Sequence, residues 1–427
     1  MTIKTILILP FIFMHTQAAF SNDNTATQNF ELNLTGEATI SITRFGDHGD
    51  RILWIPSERG VSMAKHSNLL NALAKQQHEI WLADLHQSYF IPAGRSSYTR
   101  IPVSDIAELI EKSLPDDNRK LFIVTTGRGA VLSLLALNYL QNKAALDEQF
   151  GGIIMLHPNF QAETPTPGIV MEYLPIVDIT QLPIFIIQPE KSNKFWYLDK
   201  LIQRLSDAGS KVYSQTIDQV SDGYHVRPDN NEIENQKAKE LPGQISHAIK
   251  LLAQTKIDAR KKITATSKPW AINPLSDTLQ PYPGNPAAPA LRLKDTDDKL
   301  YDLDEFHGKV VVLNFWGTWC TPCVKEIPSL GRLQKSFSKN DLAVLSVTTG
   351  ESKKEINDFL KKIPADFPVL LNPDGSTVKQ WKIVAFPTTF IIDQQGNIQL
   401  AYFGGLEWDE PGVIDQLQKM VSSLLKP

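Results

Sequence analysis

Cysteine is nearly absent from this chain: 427 residues contain two. A scaffold stapled by several disulfides is therefore excluded. A four-cysteine zinc site is excluded as well, and the nine histidines show no His-x-x-x-His or glutamate-containing metal spacing. Charge of one sign is also scarce. A formal net charge of −4 leaves no basic footprint for nucleic acid, so no nucleic-acid partner is expected. There is no internal repeat, and no apolar run long enough for a transmembrane helix beyond one N-terminal segment. What remains, 42% hydrophobic and 21% charged, is an ordinary globular composition with length for two or three domains. No metal or cofactor is expected.

The N-terminal segment carries Lys4, an apolar run from Ile6 to Met14, and the small-residue stretch Thr16-Gln17-Ala18-Ala19. These are the parts of a secretory signal, placed at residues 1–19. The run is short for a bilayer span, and an uncleaved membrane anchor is the alternative. Export to the periplasm puts the two thiols where oxidation is possible. With no other cysteine in the chain, they are reserved for chemistry.

Those thiols stand two residues apart in Phe315-Trp316-Gly317-Thr318-Trp319-Cys320-Thr321-Pro322-Cys323, directly after the apolar strand Lys309 to Asn314. A helix N-terminus stabilises a thiolate, and this spacing lets the two sulfurs bond. Cys320, at the cap, is the expected nucleophile, and Cys323, one turn in, the resolving thiol. Pro322 fits the first helical turn, where its missing N–H costs nothing. A zinc half-site and a bare structural disulfide are the competing readings. Glu326 lies three residues beyond Cys323, on the same helical face, where it can tune that thiol and help deprotonate it; a solvated surface glutamate is the alternative.

Between Lys268 and Pro289 lie six prolines with little apolar periodicity, which places a semi-rigid linker at 266–287; an extended arm packed on one domain is the other possibility. Before it, residues 29–265 alternate apolar runs (Arg51 to Ile55, Glu79 to Leu85, Leu121 to Thr125, Gly152 to His157, Pro183 to Gln188) with helical stretches, implying a parallel sheet covered by helices. Glu232 to Glu240 reads as an exposed charged stretch. After the linker, residues 288–427 give strands at Val310 to Asn314, Leu342 to Thr348, Thr388 to Asp393 and Ile398 to Phe403, a helix at Lys353 to Lys362, and a closing helix from about Pro411 to Leu425.

Leu313 to Pro328, with Phe386-Pro387-Thr388-Thr389-Phe390 downstream, resembles the thioredoxin-fold family of TlpA/ResA-type exported thiol-disulfide oxidoreductases. The resemblance implies that Pro387 is a cis proline facing the dithiol, that the Phe386 backbone pairs with an extended substrate, and that Glu326 matches the family's acidic residue. Trp319 would shape the substrate rim. The sequence departs from cytoplasmic-type thioredoxins in carrying Asn314, which cannot take a proton, where those have a buried aspartate.

The first domain is similar to the α/β-hydrolase fold around Phe122-Ile123-Val124-Thr125-Thr126-Gly127-Arg128-Gly129, a strand-turn-helix elbow. The nucleophile position is Gly127, which has no side chain to attack with, while Glu190 and His225 resemble remnants of a triad. Ser57, Ser96 and Ser97 are alternative hydroxyls, each read as an ordinary loop serine, and Arg128 as solvent-facing. The fold class is thus α/β, a non-catalytic hydrolase-like parallel-sheet domain joined to a thioredoxin-fold domain. The expected function is reduction of a disulfide in a periplasmic protein client, with re-reduction by a membrane electron donor. Oxidase or isomerase activity, or an adaptor with a redox-sensing dithiol, are the alternatives.

Overall fold

The computed structural model describes residues 27–143, 148–162, 168, 171–256 and 278–422. The signal expected at 1–19 and the larger part of the expected linker lie outside the described residues. Two sheets, each with its own core, organise the rest.

The first sheet contains β1 (Thr27–Asn33), β2 (Thr39–Phe45), β3 (Arg51–Ile55), β4 (Glu79–Ala83), β5 (Leu121–Thr126), β6 (Phe150–Leu156), β7 (Pro183–Lys191) and β8 (Lys211–Ser221), in the order β1-β2-β4-β3-β5-β6-β7-β8. β3 through β8 run parallel, and β1 and β2 are antiparallel to their neighbours. The inner strands are apolar throughout because both faces are covered, and side-chain alternation sorts their residues into two cores. Ile123, Ile153 and Ile184 face the helices Val103–Lys112, Gly129–Asn142 and Leu198–Asp207. Phe122, Ile154 and Phe185 face Met63–Lys75 and Glu232–Ala253. Each such side chain contributes about 1.5–3 kcal/mol by leaving water. The charged stretch from Glu232 opens the last of these helices, and it is not uniformly exposed: Glu234 is buried, closing a capping box with Asn231.

The second sheet contains β9 (Gln280–Pro281), β12 (Val310–Trp316), β13 (Leu342–Thr349), β14 (Val369–Asn372), β15 (Thr388–Ile392) and β16 (Ile398–Phe403), ordered β14-β13-β12-β15-β16-β9; the hairpin β10 (Arg292–Lys294) and β11 (Leu300–Asp302) stands apart. β9 lies within the residues expected as linker. Gln280 and Pro281 pair with β16, Tyr282 N donates to Gln399 O and Ala288 N to Gly396 O, so the end of the expected linker is an edge strand of this sheet.

The two units are joined by reciprocal packing. Val384, just before β15, is buried in the core of the first sheet, while Trp196 and Tyr197 pack on the core of the second. A Cβ on Gly375 would sit 2.1 Å from Trp196, so only glycine admits that ring so closely. Gln161 Nε2 and Asn193 Nδ2 both donate to Val384 O, Tyr197 OH donates to Ile383 O, and Lys191 pairs with Glu355 at 3.0 Å. Among the described residues no helix is long and apolar enough to cross a membrane.

Candidate active site

β12 is buried along its whole length and delivers the chain to the dithiol, which begins the helix Thr321–Ser336. Cys320 is the N-cap, 7% exposed, and its Sγ accepts from Cys323 N at 3.4 Å; Cys323 is fully buried, and the two sulfurs are joined as a disulfide. The outer sulfur thus lies over the positive end of a helix, which favours its thiolate when the bond opens, and the inner one is shielded from solvent.

Glu326, three residues beyond Cys323 on the same helix, is 2% exposed. Its Oε1 accepts from Asn314 Nδ2 at 2.8 Å, and its Oε2 from Trp408 Nε1 at 3.1 Å and Leu406 N at 3.3 Å. Burial outweighs these three bonds and pushes the carboxyl up to about 7, where a small change of surroundings moves a proton. Asn314 also donates to Thr389 Oγ1 at 2.9 Å, tying the acid to β15. The Phe386–Pro387 peptide is cis, and Thr388 pairs opposite Phe315, which sets Pro387 at the end of β12 where the dithiol segment leaves. The rings of Trp319 and Phe386 meet edge-on at 5.3 Å beside it. Trp316 is buried against Phe359.

Sequence reasoning missed a second buried acid. Glu351, at the carboxyl end of β13, accepts from Thr318 N at 2.9 Å and from the Thr318 hydroxyl, fixing the turn before Cys320. Burial raises its carboxyl above the usual range despite these bonds. The signal was available in its place, at the end of the strand parallel to β12.

In the first domain the structure brings Gly127 and His225 to one cavity and leaves Glu190 outside its lining. Glu190 instead accepts from Gln219 N, on β8, at 2.9 Å. Gly127 has φ +53, and a Cβ there would lie 2.9 Å from Glu58 Oε2. That carboxylate accepts from Arg128 N at 2.9 Å. An acyl-transfer elbow offers this N–H, one residue after its nucleophile, to the oxyanion; here an acid holds it. Arg128 is buried rather than solvent-facing, its guanidinium donating to Gln161 O, and burial lowers it to about 10. His225 lies 5.9 Å from His157, ring to ring, and burial keeps both below the ordinary histidine value. The acid on this side is Asp222, paired with Lys194. Ser97 is buried, its hydroxyl donating to Gly94 O and set 3.0 Å from His86 Nε2, away from Gly127. Among the described residues no group of histidine, cysteine and acidic side chains could hold a metal ion.

A dithiol capping a helix, a cis proline beside it and a mixed sheet behind define a thioredoxin-like protein. Residues 285–401 match the AhpC/TSA family. Thioredoxin-like protein YneN of Bacillus subtilis is 37% identical over 120 residues, 27% of this chain and 69% of that protein. Thiol-disulfide oxidoreductase ResA of the same organism is 39% identical over 111 residues, 26% of this chain. The chain spans 62% of that ResA's length. The crystal structure of the pneumococcal exposed lipoprotein thioredoxin Etrx1 from Streptococcus pneumoniae is 28% identical, matching 30% of this chain and 98% of its own, with a TM-score of 0.28. Through its C-terminal third, the chain belongs to the thioredoxin-like family that includes YneN.

Proposed function

We propose that this protein is an exported thiol-disulfide oxidoreductase that reduces disulfides of periplasmic proteins through Cys320 and Cys323. The observation that carries the reading is the asymmetry of the pair, with one sulfur at the cap of a helix and the other buried one turn in, on the helix that also buries Glu326. In the reduced state the Cys320 thiolate attacks a client disulfide and displaces one client thiol. Cys323, its proton taken by Glu326, then attacks Cys320 Sγ and releases the second. Trp319, Phe386 and Pro387 form the rim against which an extended client segment lies. The N-terminal signal at 1–19 directs export, and a membrane electron donor restores the dithiol. The reductant direction follows the resemblance carried by the Cys320-to-Cys323 and Phe386-Pro387 motifs.

The first domain reads as a hydrolase-like unit that has lost its nucleophile and positions clients or the redox domain. Its strand order, the elbow at Gly127 and the His225 loop support the likeness; Glu58 on Arg128 N argues against ester cleavage.

The test is the equilibrium reduction potential of the pair, with Cys323→Ser as a trap. A value near thioredoxin's, about −270 mV, together with mixed disulfides accumulating on Cys320, supports the reductase. A value near about −120 mV makes the protein an oxidase or isomerase.

A further inference from the structure

Two cavities lie between the carboxyl ends of the first sheet's strands and the start of the helix Thr321–Ser336. One, of about 490 Å³, is lined by Gly127, His157 and His225 and reaches Thr321. The other, of about 400 Å³, is lined by Thr318, Trp319 and Thr321. Both are lined by Arg227, Asp229 and Thr321, so a single cleft runs from the elbow to the residues on either side of Cys320. Thr321 Oγ1 reaches Asp229 across it at 3.4 Å.

The cleft is polar and uneven in charge. Lys194 is paired with Asp222, Arg227 with Asp229, and the Glu58 carboxylate is held on Arg128 N. Arg59 and Lys65, exposed along the larger cavity, and Lys325, along the smaller, have no ion-pair partner among the described residues. Three side chains of the larger cavity carry buried polar atoms without a hydrogen-bond partner: His157 Nε2, His225 Nδ1 and Asp222 Oδ1. A buried polar atom left unpaired is costly, and His157 and His225 bring two of the three together with their rings 5.9 Å apart, so the residues lining the cavity keep hydrogen-bonding capacity in reserve. The unpaired cations specify that those groups bring negative charge. The cleft has walls from both domains, which suits a small molecule rather than the face of a folded protein.

We propose that the cleft binds a small, carboxylate-bearing disulfide of the glutathione type, with its carboxylates toward Arg59 and Lys65 and its sulfurs at Cys320. The proposal rests on the redox reading of the cysteine pair. The Cys320 thiolate attacks one sulfur of R–S–S–R, forming Cys320–S–S–R and releasing RS⁻, which takes up a proton. The Cys323 thiolate then displaces the second RS⁻ as the Cys320–Cys323 bond forms. Two electrons leave the dithiol, and the two thiol protons end on two RSH; run in reverse, the same steps reduce the protein disulfide.

The experiment mixes the pre-reduced full chain with glutathione disulfide or with neutral bis(2-hydroxyethyl) disulfide and measures both second-order rate constants by tryptophan fluorescence. The ratio of the two constants should fall about tenfold in Arg59→Ala/Lys65→Ala, fall likewise in wild type on raising the salt, and be restored in part by Arg59→Lys/Lys65→Ala. Both substituted side chains are exposed, so folding is not at stake. An unchanged ratio in the double variant overturns the cleft as the anion site while leaving the redox reading intact. Failure of both disulfides to oxidise the dithiol overturns the redox reading and this proposal with it.

Discussion

Asn314 Nδ2 donates to Glu326 Oε1 at 2.8 Å, so the buried carboxyl one turn beyond Cys323 is held by an amide that cannot itself exchange a proton. In the proposed mechanism Glu326, and not Asn314, handles the proton on the inner side of the dithiol. Burial lifts its pKa from 4.5 to about 7. The folded state binds this proton more tightly than the unfolded chain does. The stability it confers is complete below pH 4.5 and is lost as pH rises through about 7. The span corresponds to roughly 3 kcal/mol. Thermal unfolding of the wild type should fall across that window, and Glu326→Gln should lack the slope. In stopped flow, the resolving step should quicken as pH rises through about 7 and be about a hundredfold slower in Glu326→Gln. A resolving step that keeps its rate in the variant would remove Glu326 from the mechanism.

Restoring a serine at the elbow should not restore a hydrolase. Gly127→Ser places a Cβ 2.9 Å from Glu58 Oε2 on a backbone with φ +53. The expected cost is about 1–3 kcal/mol, with no turnover of activated esters, because Arg128 N stays bonded to the acid. Ester turnover by Gly127→Ser with Glu58 unaltered would contradict this account of the elbow.

Gly375→Val should part the two units. The added side chain meets Trp196 at 2.1 Å and sits on a backbone with φ +64. Scattering should show a larger radius of gyration, and calorimetry two transitions where the packed protein gives a more cooperative one. Trp196→Ala should separate them with no strain at Gly375, distinguishing lost docking from local damage.

The strands that sequence revealed are those whose burial is uniform. Val310 to Asn314 and Leu121 to Thr125 are continuous apolar runs, and the structure lengthens them by one or two residues. β1 and β8 went unseen because they lie at the edges of the first sheet. Thr27–Asn33 and Lys211–Ser221 mix exposed polar residues among few apolar ones, and their pairing partners, not their composition, make them strands. The dithiol and Glu326 were legible because each depends on spacing within one helix. Glu351, Asp222 and Glu58 were not, since each acquires its meaning from a backbone or side-chain partner far along the chain. Glu190 misled for the same reason: it ends the expected strand, but its carboxylate is spent on Gln219 N of the next.

The Val384 carbonyl accepts from Gln161 and Asn193, and Phe386 follows it by two residues. The loop that carries the cis proline is thus gripped from outside its own fold, by two amides of the first domain some two hundred residues upstream. The dithiol and the grip on its neighbouring loop are encoded in separate parts of the chain. The C-terminal domain excised on its own would keep its cysteine pair and lose the hand that holds the loop beside it.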